Sequence, residues 1–116
     1  MIKDKLIYVA HPFGGNKANK YSIDTIMENL VMLDKNNTYL SPLHNFSMLY
    51  FDTQYSKGLK ICLDMLNKCD ALVLCGDWET SKGCIGEWSF AIAKRMPIYT
   101  WKEWTDKLKE QGDNSR

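Results

Sequence analysis

The sequence predicts a three-layer α/β/α sandwich built as one domain over residues 1–116, with a mainly parallel sheet of four or five strands. Short continuous apolar runs such as Leu6-Ile7-Tyr8-Val9-Ala10 and Ala71-Leu72-Val73-Leu74-Cys75 have the composition of strands buried on both faces. Stretches with helical apolar spacing separate these runs, so strands and helices alternate. Breaker-rich loops follow the strands, as after Ala10, where His11-Pro12-Phe13-Gly14-Gly15-Asn16 stands.

The first strand is residues 6–10. Residues 20–34 carry Ile23, Ile26, Met27, Leu30 and Leu33 at helical spacing, and Asn36-Asn37 closes that helix. Thr38-Tyr39-Leu40-Ser41 reads as the second strand, stopped by Pro42. Residues 43–53 are rich in aromatics without a period and read as a loop. Residues 55–69 form the second helix, with Leu59, Cys62, Leu63 and Leu66 as its buried stripe. Asp70 leads into the third strand, and Gly76 to Lys82 form a polar loop. A third helix covers Gly83 to Arg95, with Ile85, Trp88, Ala91 and Ile92 inward. Pro97 to Trp101 form the fourth strand, residues 102–110 a short amphipathic helix using Trp104 and Leu108, and Gln111 to Arg116 a frayed tail. The order β-α-β-α-β-α-β-α, with right-handed crossovers, is flavodoxin- or Rossmann-like.

Composition narrows the function. Of 116 residues, 45% are hydrophobic and 25% charged, with a net charge of +1, which gives no argument for nucleic-acid or membrane binding. No apolar run approaches the length that spans a bilayer. The segment Met1 to Lys5 leads directly into a strand pattern rather than a signal peptide, so a cytoplasmic location is expected. Cys62, Cys69, Cys75 and Cys84 contain no Cys-x-x-Cys pair and each lies in an apolar stretch. They read as reduced, buried hydrophobes, and neither a metal nor a cofactor is expected.

In a parallel sheet the functional loops stand at the C-terminal strand ends. Here these are residues 11–16, 41–47 and 76–83. Gly14-Gly15 allows close backbone approach to a ligand and leaves amides free for an anion, or forms a simple turn. Ser81 is either the N-cap of the third helix or, with the first-turn amides, a phosphate contact. Glu87 has two readings as well. A first-turn acid is favoured by the helix dipole. Yet Gly83 and Gly86 beside it weaken the helix, which suggests close approach of a ligand to that turn.

Four segments carry a resemblance. They are Tyr8-Val9-Ala10-His11-Pro12-Phe13, Cys69-Asp70-Ala71-Leu72, Ser81-Lys82-Gly83-Cys84-Ile85-Gly86-Glu87-Trp88, and Ala91-x-Ala93-Lys94-x-x-Pro97-Ile98. Together they span roughly residues 5–101 and resemble the nucleoside 2-deoxyribosyltransferase-like superfamily, closest to its small phage and bacterial members. The Gly-x-Glu segment with its Ala-x-Ala-Lys-x-x-Pro tail is the most specific part.

The resemblance implies that Glu87 attacks the anomeric carbon of a ribosyl or deoxyribosyl group, that the base leaves, and that water or another base takes the sugar. It implies that the Tyr8 hydroxyl orients Glu87. Family members that act on free nucleosides carry Asp six residues before the nucleophile, and those that hydrolyse nucleoside 5′-monophosphates carry Ser. This chain has Ser81 there, which favours a nucleotide substrate and hydrolysis. Ala10, His11, Pro12, Phe13, Gly14, Gly15, Ser81 and Gly83 would line the substrate, with His44 after Pro42 facing the pocket. The family's phosphate-side Arg is replaced by Gly14, leaving Lys17 or Lys82 to supply charge.

The family also has an Asp eight residues before the Asp that precedes the third strand. Cys62 stands at that position. Asp64, the nearest carboxylate, lies about 200° around the helix and takes that role only with a register shift. Asp64 and Asp77 are therefore the candidate acids, and Asp70 reads as structural. Phe13, Phe46, Tyr50, Phe51 and Trp78 are candidates either for stacking on a base or for core packing. The resemblance implies a homodimer, with Trp88, Trp101 and Trp104 as candidate contacts or core residues. Three function classes stay open: a nucleotide N-glycosidase, with a deoxyribosyltransferase close to it; a nucleotide-binding or sequestering module; and an interaction protein that keeps only the fold.

Overall fold

The computed structural model describes residues 2–12, 17–42 and 55–114. Along the chain run β1 (Leu6–Ala10), α1 (Lys17–Leu33), β2 (Thr38–Leu40), α2 (Tyr55–Asn67) and β3 (Ala71–Leu74). A single 3-10 turn at Trp78–Thr80 precedes α3 (Lys82–Ala93), β4 (Ile98–Thr100) and α4 (Trp101–Asn114). The strands form one parallel sheet in the order β2-β1-β3-β4. This is the single-domain, Rossmann-like α/β architecture that the alternating apolar pattern predicts. No described helix is long and apolar enough to cross a membrane.

Strand alternation divides the core between two faces. Ile7 and Val9 of β1 and Ala71 and Val73 of β3 face one layer, where they meet Ile23 and Leu30 of α1 and Trp104 of α4. Tyr8, Ala10, Leu72 and Leu74 face the other, against Cys62 and Leu66 of α2 and Cys84 and Ala91 of α3. Covering both faces explains why β1 and β3 read as unbroken apolar runs. The edge strands β2 and β4 are only half-buried or exposed.

The sheet order fixes where a crevice opens. From the central pair, β1 connects outward to β2 and β3 outward to β4, on opposite sides. The two crossovers diverge at the C-terminal ends of β1 and β3, the switch point at which open α/β folds place ligands. The N-terminal ends are tied instead: Asp70 accepts the Leu6 amide at 2.8 Å and returns its own amide to the Leu6 carbonyl. This is the structural role the sequence suggests for Asp70.

Several boundaries and faces differ from expectation. Strand β4 stops at Thr100, and Trp101 opens α4. The reason is a capping box: Thr100 Oγ1 accepts the Glu103 amide at 3.2 Å, and Glu103 Oε1 accepts the Thr100 amide at 2.9 Å. Hydrogen bonds to the carboxyl from the Thr100 backbone amide and from the Thr100 side chain hold Glu103 below its usual pKa. Helix α4 continues to Asn114 rather than ending at 110, and α1 begins at Lys17 rather than 20. On α1, Leu33 is exposed rather than part of the buried stripe.

Helix α3 shows the largest departure. Its inward face is Cys84, Glu87 and Ala91, with Trp88 half-buried, whereas Ile85 and Ile92 are 40% and 49% exposed. Positions 84, 87, 88 and 91 share one helical face, and 85 and 92 lie about 100° round from 84 and 91. An apolar count chose the isoleucines; the sheet selected a face that includes a carboxylate. The helix ends in a Schellman motif, with Arg95 at φ 57, its amide on the Ile92 carbonyl, and the Met96 amide on the Ala91 carbonyl.

Candidate active site

The site begins with Tyr8, in the middle of β1 and fully buried on the α2–α3 face of the sheet. Its hydroxyl donates to Glu87 Oε2. Glu87 sits in the second turn of α3, since the helix starts at Lys82 and has no acid in its first turn. It is 6% exposed. The helix-dipole explanation, which needs a first-turn, surface acid, therefore does not account for it.

A carboxylate in this layer has lost most of its hydration. Burial pushes the Glu87 pKa from the usual 4.5 up to about 7, and the Tyr8 hydrogen bond pulls against that rise. The ion pairs among the described residues are helical surface pairs, Lys20–Asp24, Lys60–Asp64 and Lys102–Asp106, and none offers Glu87 a cation. The group is thus poised between acid and carboxylate near neutral pH. Perturbed carboxyls in a crevice are where catalytic chemistry concentrates.

The thiols nearby behave differently. Cys84 lies one helical turn before Glu87 on the same face, and burial raises its pKa to about 12, with Glu87 and Cys62 adding to the rise. Cys75 is likewise pushed up to about 12 by burial. At neutral pH these thiols stay protonated and do not compete as nucleophiles. All four cysteines are buried, and none is in a disulfide among the described residues. Among the described residues, no group of three or more His, Cys, Asp or Glu could hold a metal ion.

Ser81 is the N-cap of α3, with φ −103° and ψ 120°, and its Oγ accepts the Cys84 amide at 3.2 Å. The cap uses the oxygen as an acceptor, and the same side chain also hydrogen-bonds the Cys84 thiol and pulls its pKa down against the rise from burial. Helix packing does not require glycine at 86: a Cβ there would meet Leu59 of α2 at 3.6 and 3.9 Å, ordinary contact distances. Gly83 is half-buried in the first turn of α3.

The other predicted residues separate into groups. Ala10 is buried in the α2–α3 layer at the end of β1, and Pro12 is half-buried just beyond it. His11 is half-buried, with Nδ1 on the Pro12 carbonyl at 2.7 Å and Nε2 on Ser22 Oγ at 3.0 Å. Asp77 is exposed before the 3-10 turn, and its carbonyl accepts both the amide and the hydroxyl of Thr80. Phe13, Gly14, Gly15 and His44, with Phe46, Tyr50 and Phe51, lie outside the described residues.

Asp64 is not brought to the site. It faces solvent on α2, with its side chain 64% exposed and bonded to Lys60 at 2.9 Å. Cys62 takes the inward position, 5% exposed and in the same cluster as Tyr8 and Cys84. Helical rotation is the cause: turning Asp64 inward would turn Cys62 and Leu66 out. Lys17 and Lys82 are exposed. Trp104 is fully buried, so it is core and not a contact between chains. Trp78 and Trp88 are half-buried, with ring centroids 5.9 Å apart, and pack on the α2–α3 cluster.

The fold and site define an α/β domain with a buried carboxylate bonded to a tyrosine of the central strand β1. A family model described as a domain of unknown function, DUF4406, matches residues 5–100. The chain belongs to that family, whose description assigns no activity. No curated protein matches the chain.

Proposed function

We propose that the protein is an N-glycosidase that cleaves the base–sugar bond of a nucleoside or deoxynucleoside 5′-monophosphate, with Glu87 as nucleophile. The observation that carries this reading is the Tyr8–Glu87 pair, a carboxyl buried without a cation and aimed by a phenol. A Glu oxygen attacks the anomeric carbon as the C–N bond breaks, and the bonding pair leaves with the base. The base takes a proton from an acid, for which the exposed loop residue Asp77 and solvent are the available sources. Water then hydrolyses the glycosyl ester and restores the carboxylate. The likeness to nucleoside 2-deoxyribosyltransferases supports this chemistry, and Ser81 supports the phosphorylated substrate. A hydroxyl donates to a phosphate, whereas Asp at that position would repel it.

The reaction needs ionised Glu87, so base release should climb with pH through about 7 before levelling. The decisive test is a panel of nucleoside 5′-monophosphates with free base followed by chromatography. Glu87→Gln should lower base release by at least about 10³-fold while the chain stays folded. Activity surviving that change rules Glu87 out as nucleophile. Ser81→Asp keeps an N-cap but should raise KM for the monophosphate over the free nucleoside; an unchanged preference removes Ser81 from phosphate recognition.

One observation favours a second reading. Cys62 fills the inward α2 position, and Asp64 faces solvent. A nucleotide-binding module without turnover fits that arrangement. In the same panel it would show a nucleotide-dependent rise in Tm and no free base.

A further inference from the structure

His11 and Gly76 stand side by side at the C-terminal ends of the neighbouring strands β1 and β3, His11 directly after β1 and Gly76 two residues after the end of β3. The two strand ends are tied by the Cys75 amide, which donates to the Ala10 carbonyl at 2.9 Å. Past that bond, the imidazole reaches across. A Cβ on Gly76 would fall 2.8 Å from His11 Nε2 and 3.2 Å from both Cδ2 and Cε1. Gly76 also has φ +62, where a side chain is strained regardless of space. Two independent constraints therefore require glycine opposite this ring.

The ring is itself fixed. A carbonyl only accepts, so Nδ1 donates to Pro12, and Nε2 is paired with the Ser22 hydroxyl of α1. Both nitrogens are engaged, which leaves neither for a ligand unless one of these bonds breaks. His11 is thus better built to hold backbone than to touch substrate.

We propose that His11 is a positioning residue. Anchored by Pro12 and Ser22, its ring wedges against Gly76 and sets the spacing between the segments that follow β1 and β3. The β3 segment leads directly to Asp77, Ser81 and the start of α3, so the wedge holds the mouth of the Tyr8–Glu87 site preformed for its ligand. The proposal rests on the reading that the switch-point crevice binds a nucleotide.

Hydrogen exchange of the full chain tests the wedge without recourse to activity. His11→Ala, or Ser22→Ala if the first variant does not fold, should speed amide exchange in residues 75–81 by about fivefold or more. Exchange at Val73, in the middle of β3, should not change. A smaller acceleration over 75–81 overturns the proposal. Gly76→Ala should lower Tm, and adding His11→Ala should recover part of that loss; strictly additive effects overturn the wedge.

Enzyme kinetics then test the link to the ligand. KM for a nucleoside 5′-monophosphate should rise about fivefold or more in His11→Ala, with kcat within about twofold. An unchanged KM overturns the positioning role. Should the unaltered chain neither bind nor cleave nucleotides, the functional reading falls. The exchange and Tm arms then decide the wedge separately.

Discussion

Glu87 couples its titration to folding because the sheet face around it is apolar. Folding raises its pKa from 4.5 to about 7, so between those values the folded chain holds a proton that the unfolded chain has released. Stability from this group is full below about pH 4.5, falls as pH rises, and is lost above about pH 7. The difference is on the order of 3 kcal/mol. Glu87→Gln, which is neutral at every pH, should melt with the unaltered chain at pH 4 and several degrees above it at pH 8. Parallel Tm-versus-pH curves for the two proteins would show that Glu87 is not desolvated. The same substitution removes the proposed activity, so stability and catalysis should move in opposite directions at alkaline pH.

Helices α2 and α3 decide which side chains this carboxyl meets. Gly86 leaves room for ordinary contact with Leu59, and a methyl there would sit at 3.6 Å. Gly86→Ala should therefore raise stability by about 0.5–1 kcal/mol through helix propensity, read from chemical denaturation with base release unchanged. If folding is kept and base release is lost, the ligand approaches this turn after all. On α2, Asp64→Asn breaks only the exposed pair with Lys60. It should change stability by less than about 0.5 kcal/mol and leave base release intact. A large loss of activity would reinstate Asp64 as the acid.

Across the whole molecule, the layer opposite the site is locked by a polar chain. Asp34, 5% exposed, accepts the Asn36 amide at 2.9 Å and the Asn37 side-chain amide at 2.8 Å, and its Oδ2 also accepts the Tyr39 hydroxyl. Tyr39 in turn accepts the Trp104 indole N–H at 3.0 Å. The chain joins the end of α1 and the adjoining β2 to α4, which is distant in sequence. Burial and the Asp34 carboxylate raise the Tyr39 pKa, which keeps the phenol protonated as donor. Tyr39→Phe leaves Asp34 and the Trp104 N–H short of a partner and should cost about 1–3 kcal/mol. The measurement is the urea midpoint, which should fall with an unchanged m-value. An unmoved midpoint would remove this network from the account of stability.

Local pattern was sufficient for the element order, the parallel sheet and the buried strands, because apolar runs of the β1 and β3 kind bury both faces only between helical layers. It marked Glu87 through its neighbours, whereas Tyr8 was marked only by the family resemblance. Even the early start of α4 was written locally, in the Thr100–Glu103 spacing. Tertiary structure decided the rest. Whether Ile85 or Glu87 faces the sheet, and whether His11 spends its nitrogens on backbone and Ser22, depend on how a helix is rotated against a sheet. That rotation is set by summed packing over many residues, and a turn of about 100° exchanges a core residue for a surface one. The sequence by itself determined that a carboxylate would stand near the switch point; the packing of α2 and α3 on the sheet determined that it is buried, bonded to Tyr8 and poised near neutral pH.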